Sequence, residues 1–415
     1  MKFTEIEGYT NIDGGVCAPS GFSANGLRCG INDEPGKNDL GLIFSEREAF
    51  GAAVYTRNKV KGAPLVVTRD HLEKSGGRVR AVVMNSKNAN TCLADGVEKA
   101  ERMTASAARE LKVPNEEVLV ASTGVIGMPF DVAPVENAMK DLVSGLAPGR
   151  HLEAEKAVMT TDTVPKEAAV EFEVSGIKYH LGGMAKGSGM IRPDMATTLS
   201  FITTDMNVAP GALKEALSKN VKITYNCLSV DGDMSTNDMI ILMANGAAGG
   251  ERIESPQDPG YASFECALYL VMENLVRMLA RDGEGDTKLL ECRVMGAQTE
   301  EQAYTVAKSV IGSSLVKCAM FGEDANWGRI LCAIGYAECD VAIDRVDVEL
   351  SSEKGPRPVC RGGAGVSFSE EKAKEILSAD EILIAVGLNS GKEKGRAFGC
   401  DLSYDYVKIN GDYRS

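Results

Sequence analysis

The chain is short of several things. No uninterrupted apolar run approaches the ~18–20 residues that a membrane-spanning helix needs. Histidine occurs three times only, as His71, His151 and His180, so a histidine-activated nucleophile has few residues to draw on. Aromatics make up 6% of the chain, and Trp327 is the one tryptophan. Positive charge is in deficit: 45 Lys and Arg stand against 59 Asp and Glu, a formal net charge of -14. That balance argues against nucleic acid or an anionic membrane surface as a partner. Met1 to Glu7 has no apolar core, so no signal or transit peptide is expected. The eleven cysteines contain no Cys-x-x-Cys pair and no His cluster accompanies them. Free thiols in a reducing cytoplasm are expected, and no zinc site.

What is present suits a soluble globular protein: 415 residues, 44% hydrophobic and 25% charged, long enough for more than one layered unit. Strand-like and helical stretches interleave. Val66-Val67, 80–84, 118–122, 178–181, 199–203, 239–244, Val341–Ile343, 346–350, 381–386 and Tyr406–Ile409 read as strands. Helical periodicity marks 95–111, 135–146, 211–218, 264–281, 299–311 and 313–320, and Ser369 is placed to cap a further helix. Such interleaving predicts a mixed α/β fold with helices layered over stacked sheets.

The densest signal is Lys186-Gly187-Ser188-Gly189-Met190-Ile191-Arg192-Pro193-Asp194-Met195-Ala196-Thr197. A glycine-rich loop with one lysine leads to an Ala-Thr bond. Inside an intact chain Thr197 is a weak nucleophile. Cut before it, Thr197 owns a hydroxyl and a free α-amine, and an amine titrating near ~7.7–8.0 can take the hydroxyl proton. On residue chemistry alone the segment also fits an ordinary loop before a strand. Acyl transfer needs a home for the oxyanion too. The Thr123-Gly124 turn after the 118–122 strand offers backbone N–H groups and a hydroxyl, donors worth ~2.7–4 kcal/mol each in such chemistry. It also fits a plain strand-to-helix turn.

Other polar residues stand in glycine-rich or apolar settings. Thr160, in Thr160-Thr161-Asp162-Thr163, fits either a turn or a substrate ligand. Lys186 fits a carboxylate binder or a solvated loop lysine, and Glu284 a binder of a cationic amine or part of a helix C-cap. The end of the chain, with Asn410 and Ser415, fits either a closing segment or a frayed tail. Asp231 to Asp238 carries several side-chain oxygens but lacks the D-x-[DN]-x-[DN]-G-x₅-E calcium pattern, so a polar network is expected there.

The segment from Lys186 to Thr197 matches K-G-[SA]-G-M-x-x-P-x-[ML]-A-T, and the chain thereby resembles the ornithine acetyltransferase family. Members are glutamate N-acetyltransferases and N-acetylornithine transferases of arginine biosynthesis. The Asn85–Asn90 turn, the Asp231–Asp238 segment and Asn326-Trp327-Gly328-Arg329 are also family-like. The resemblance implies an α/β/β/α sandwich, similar to N-terminal nucleophile hydrolases but topologically distinct. It implies self-cleavage between Ala196 and Thr197 into fragments 1–196 and 197–415 that share sheets and assemble as two copies of each. Thr197 is then the nucleophile, Thr123 and Gly124 the oxyanion hole, and Thr160, Lys186, Thr197, Glu284, Asn410 and Ser415 the substrate ligands. The family commonly ends in threonine; Ser415 keeps the hydroxyl. The expected reaction is ping-pong acetyl transfer from N²-acetylornithine to glutamate, without a metal or bound cofactor. Whether acetyl-CoA is a second donor is left open by these motifs. The alternatives are an amidohydrolase or aminopeptidase of a similar self-cleaving fold, and a small-molecule binding protein with an intact chain.

Overall fold

The computed structural model describes residues 3–192 and 198–412. Its strands are β1 (Tyr9–Ile12), β2 (Phe22–Leu27), β3 (Leu40–Tyr55), β4 (Arg78–Asn85), β5 (Val118–Ser122), β6 (Glu167–Val174), β7 (Ile177–Lys186) and β8 (Leu199–Thr204). They continue as β9 (Leu228–Ser229), β10 (Met239–Ala244), β11 (Leu289–Ala297), β12 (Asp347–Ser352), β13 (Gly355–Arg361), β14 (Ala364–Gly365), β15 (Glu381–Gly387) and β16 (Glu393–Cys400). The helices are α1 (Ala63–Lys74), α2 (Gly96–Leu111), α3 (Ala133–Ser144), α4 (His151–Val158), α5 (Pro210–Ile223) and α6 (Tyr261–Arg281). In the last third lie α7 (Glu300–Gly312), α8 (Ser314–Phe321), α9 (Trp327–Gly335), α10 (Glu370–Leu377) and α11 (Tyr404–Asp412).

The long strand β3 organises the first sheet. Its N-terminal part pairs with β2 and β4, a bulge follows between Phe44 and Ala49, and its C-terminal part pairs with β10. The strand order is β1-β6-β7-β8-β10-β3-β4-β5, with β2 also on β3. The two parts of this sheet face each other across Phe22, Ile43, Val82, Met84, Phe201 and Ile241. Helices α1 to α3 cover one outer face through Leu42, Val83, Met103, Val120 and Met139. The other outer face, with Val170, Ile202 and Leu242, is covered by α5 and α6 through Leu213, Phe264 and Leu268. The result is the α/β/β/α sandwich. Each fully buried Leu, Ile or Phe contributes roughly 1.5–3 kcal/mol relative to exposure, so this stack is what fixes the layers.

A second sheet, ordered β14-β13-β12-β15-β11-β16-β9, packs against α7 to α10 around its own apolar core. Helix α6 contacts both sheets, which is why it is apolar on most of its circumference. Trp327 serves this second core as a packing corner: its ring lies where a Cβ on Gly365 would be 2.3 Å away. Ser369 caps α10 by accepting from Lys372 N at 3.3 Å.

Three strand readings fail. Val66-Val67 lies inside α1, started by extended Gly62 and Pro64 and docked on β5. There Thr68 Oγ1 donates to Val120 O at 2.7 Å and accepts from Val120 N at 2.9 Å. Val341–Ile343 has no strand partner and leads into a 3₁₀ turn at Ile343–Arg345. Tyr406–Ile409 is helical, the middle of α11. No helix among the described residues is long and apolar enough to cross a membrane.

Candidate active site

One cleft of about 420 Å³ opens where β5, β7, β8 and β10 end or begin beside the loop after α6 and the helix α11. Thr123, Gly124, Thr160, Lys186, Glu284 and Asn410 all line it, as does Thr198. Ala196, Thr197 and Ser415 lie outside the described residues.

The Thr123-Gly124 turn is fixed by the Asn85–Asn90 turn. Thr123 N donates to Asn85 O at 3.0 Å, and Ser122 Oγ donates to Asn85 Oδ1 at 2.6 Å. Gly124 has φ 126°, and a Cβ there would stand 2.2 Å from Lys87 C, so only glycine fits. Its N–H has no acceptor among the described residues. A free N–H beside a threonine hydroxyl at the end of a buried strand is a preorganised pair of donors.

Lys186 is the last residue of β7 and is 8% exposed, which removes the solvated reading. Its Nζ donates to Thr160 Oγ1 at 3.0 Å, reaches Thr123 Oγ1 at 3.4 Å and stands 3.9 Å from Asp162 Oδ2. Asp162 is the node beneath. It accepts from Gly187 N at 2.6 Å, Thr160 N at 3.0 Å and Lys166 Nζ at 2.8 Å. Lys166 also donates to Asp282 at 2.6 Å. Burial alone would push the Asp162 carboxyl up, but Lys186 and Lys166 outweigh it and hold it well below the usual carboxylate range.

Glu284, on the loop after α6, is 8% exposed and accepts from Asn410 Nδ2 at 2.7 Å. Its backbone N–H donates to Ser188 O at 3.0 Å. Gly189 underlies it: a Cβ there would meet Glu284 Oε2 at 2.3 Å, so the glycine loop and the carboxylate require each other. A lysine and a carboxylate side chain thus line one cleft, a pattern suited to a zwitterionic small molecule.

The Asp231–Asp238 segment forms one wall. Asp231 accepts from Met190 N at 2.6 Å, Ile191 N at 3.0 Å and Asp233 N at 3.1 Å, so its oxygens face backbone donors. Burial raises its carboxyl above the usual range. Asn237 donates to Ala89 O at 2.6 Å and Ser122 O at 3.0 Å, bracing the Thr123-Gly124 turn. Sequence reasoning anticipated a polar network here but missed Asp162, Asn237 and Asp238 as individuals. The Thr160-Thr161-Asp162-Thr163 run shows a turn; nothing in it shows that the Asp162 side chain is buried between two lysines.

None of the three histidines lines the cleft. His71 bridges Val118 O (2.8 Å) and Glu101 (3.2 Å), His151 pairs with Glu167 at 2.8 Å, and His180 with Asp205 at 2.8 Å.

A layered α/β sandwich whose strand ends hold free backbone and hydroxyl donors, a buried lysine and a buried carboxylate defines a small-molecule enzyme. The chain belongs to the ArgJ family, whose sequence model matches residues 23–415. It is 47% identical over 395 residues to arginine biosynthesis bifunctional protein ArgJ 1 of Clostridium acetobutylicum, covering 95% of this chain and 96% of that one. It is 46% identical over 405 residues to arginine biosynthesis bifunctional protein ArgJ of Caldanaerobacter subterraneus subsp. tengcongensis, covering 97% and 99%. Among solved structures, ornithine acetyltransferase of Mycobacterium tuberculosis in complex with ornithine is 36% identical, covering 45% of this chain and all of that one, with a TM-score of 0.41.

Proposed function

We propose that the chain is a glutamate N-acetyltransferase of arginine biosynthesis that works by ping-pong transfer through an acetyl-threonine. The observation that carries this reading is convergence: residues from Thr123 to Asn410, on five separate elements and loops, line one cleft beside Thr198, the residue after Thr197. Relatives named for arginine biosynthesis support the pathway.

In this reading the chain cleaves itself between Ala196 and Thr197. The Thr197 hydroxyl attacks the acetyl carbonyl of N²-acetylornithine while its α-amine takes the proton. Thr123 and Gly124 hold the oxyanion. Lys186, with Thr160 beside it, meets the substrate carboxylate, and Glu284 with Asn410 meets its cationic amine. Ornithine leaves and glutamate takes the acetyl group. Ser415 closes the site, and the mature enzyme holds two copies of each fragment. The relatives' description as bifunctional supports acetyl-CoA as a second donor.

An acetyl-transfer assay tests it. N²-acetylornithine with glutamate should give N-acetylglutamate and ornithine in equal amounts. Release of acetate without a need for glutamate would instead favour the amidohydrolase reading.

A further inference from the structure

One group in the cleft has no part in that scheme. Asp238 stands at the head of β10, where the parallel pairing of β8 and β10 sets it beside Thr198: Met239 N donates to Thr198 O at 3.0 Å. It is 3% exposed and lines the cleft, yet its Oδ2 has no hydrogen-bond partner among the described residues. A carboxyl oxygen buried without a partner is costly, and such groups persist where they are used. Its backbone carbonyl accepts from Thr56 N at 3.0 Å, which fixes the main chain at this position.

We propose that the Asp238 carboxyl is the proton reservoir of the transfer reaction: it gives a proton to the amine that leaves and takes one from the ammonium that enters. This rests on the acetyltransferase reading above.

The surroundings suit the task. Burial strongly favours the neutral acid; Ser235 and, from β7, Lys186 favour the carboxylate, and Asp231 opposes it. Glu284 and Tyr406 line the same cleft. Two opposing influences of this kind let one group hold or release a proton as charged molecules come and go.

The steps balance. The nucleophile's O–C bond to the acetyl group forms, the C–N bond breaks, and the nucleophile's proton passes to the departing nitrogen, giving a neutral amine. Asp238 then protonates that amine, which leaves as an ammonium, and becomes a carboxylate. Glutamate enters as an ammonium and returns a proton to Asp238. Its free amine attacks the acetyl ester; the N–C bond forms, the C–O bond breaks, and the nitrogen's surplus proton goes to the released oxygen. Asp238 ends the cycle neutral, as it began.

The test is Asp238→Asn with two pairs of substrates. Transfer from N²-acetylornithine to glutamate should fall by ~10²–10⁴-fold, the usual worth of a positioned acid–base group. Transfer from p-nitrophenyl acetate to hydroxylamine should stay within a few-fold of wild type, because that leaving group needs no proton and that acceptor arrives as free base. Equal loss with both pairs, or no loss with either, overturns the proposal. If wild type makes no N-acetylglutamate, the acetyltransferase reading itself falls. Should Asp238→Asn not fold, wild-type pH profiles decide: with glutamate the rate should show an ionisation, beyond that of glutamate's own amine, that is missing with hydroxylamine, and its absence overturns the role.

Discussion

Asn410 Nδ2 donates to Glu284 Oε2 at 2.7 Å, joining the last helix to the loop after α6 across 126 residues of sequence. Hydrogen bonds to charged groups contribute roughly 1.5–3 kcal/mol, so this contact can set how Glu284 meets a ligand. Asn410→Ala should raise KM for N²-acetylornithine and glutamate together, by about tenfold or more, with little change in kcat. Deleting Gly411 to Ser415 should raise both KM values in a chain that still folds. Steady-state kinetics on both half-reactions check this; full activity after the deletion would remove Ser415 from the site.

Thr197→Ala should run as one full-length chain under denaturing conditions and transfer no acetyl group. Wild type should give two masses, for 1–196 and 197–415. Intact mass spectrometry decides, and a wild type that is whole yet active would sink the proposed nucleophile.

Thr123→Ala should lower kcat by ~10²-fold or more at nearly unchanged KM, the mark of a donor that acts on the transition state. Gly124→Ala should do worse and also destabilise the fold, since its Cβ would stand 2.2 Å from Lys87 C at a φ of 126°. Urea unfolding beside kinetics separates the two effects.

Asp162→Asn should cost about 3–5 kcal/mol of stability, because it leaves Lys166 buried with one carboxylate fewer. The wild-type pH dependence has a definite sign. The folded carboxyl titrates well below its unfolded counterpart, so its stabilisation is present above the usual carboxylate value and is lost as the solution is made more acidic. Denaturant midpoints between neutral and acid pH should fall more steeply for wild type than for Asp162→Asn.

Much of this was legible because long periodic segments declare themselves. Phe264, Leu268, Val271 and Leu275 mark α6, and Met239 to Ala244 marks β10, in agreement with their burial. Short β-prone runs did not. Tyr406 to Ile409 resembles a strand over four residues, yet α11 runs for nine and is held from outside. Asp405 N donates to Ser403 Oγ at 3.1 Å, and Asn410 reaches Glu284. Val66-Val67 fails likewise: Pro64 starts a helix, and Thr68 and Val67 dock it on β5. In the cleft, residues in a glycine motif or turn were visible as candidates. Asp162 and Asp238 were not, because what sets them apart is burial, which depends on neighbours far away in sequence.

Strand β8 begins at Leu199, two residues after Thr197, and is sandwiched between β7 on one side and β10 on the other. A break at the Ala196–Thr197 bond would leave β8 paired with β7 and β10 paired with β3 across the cut, so the halves could not part without tearing the sheet. It would nevertheless change the thermodynamics of denaturation. A cut chain unfolds by dissociation, so its melting temperature should rise with protein concentration, whereas uncut Thr197→Ala should melt at one temperature throughout, apart from subunit association. Scission of this kind would make the enzyme harder to renature than to keep: once separated, the two polypeptides must find each other again before the cleft exists.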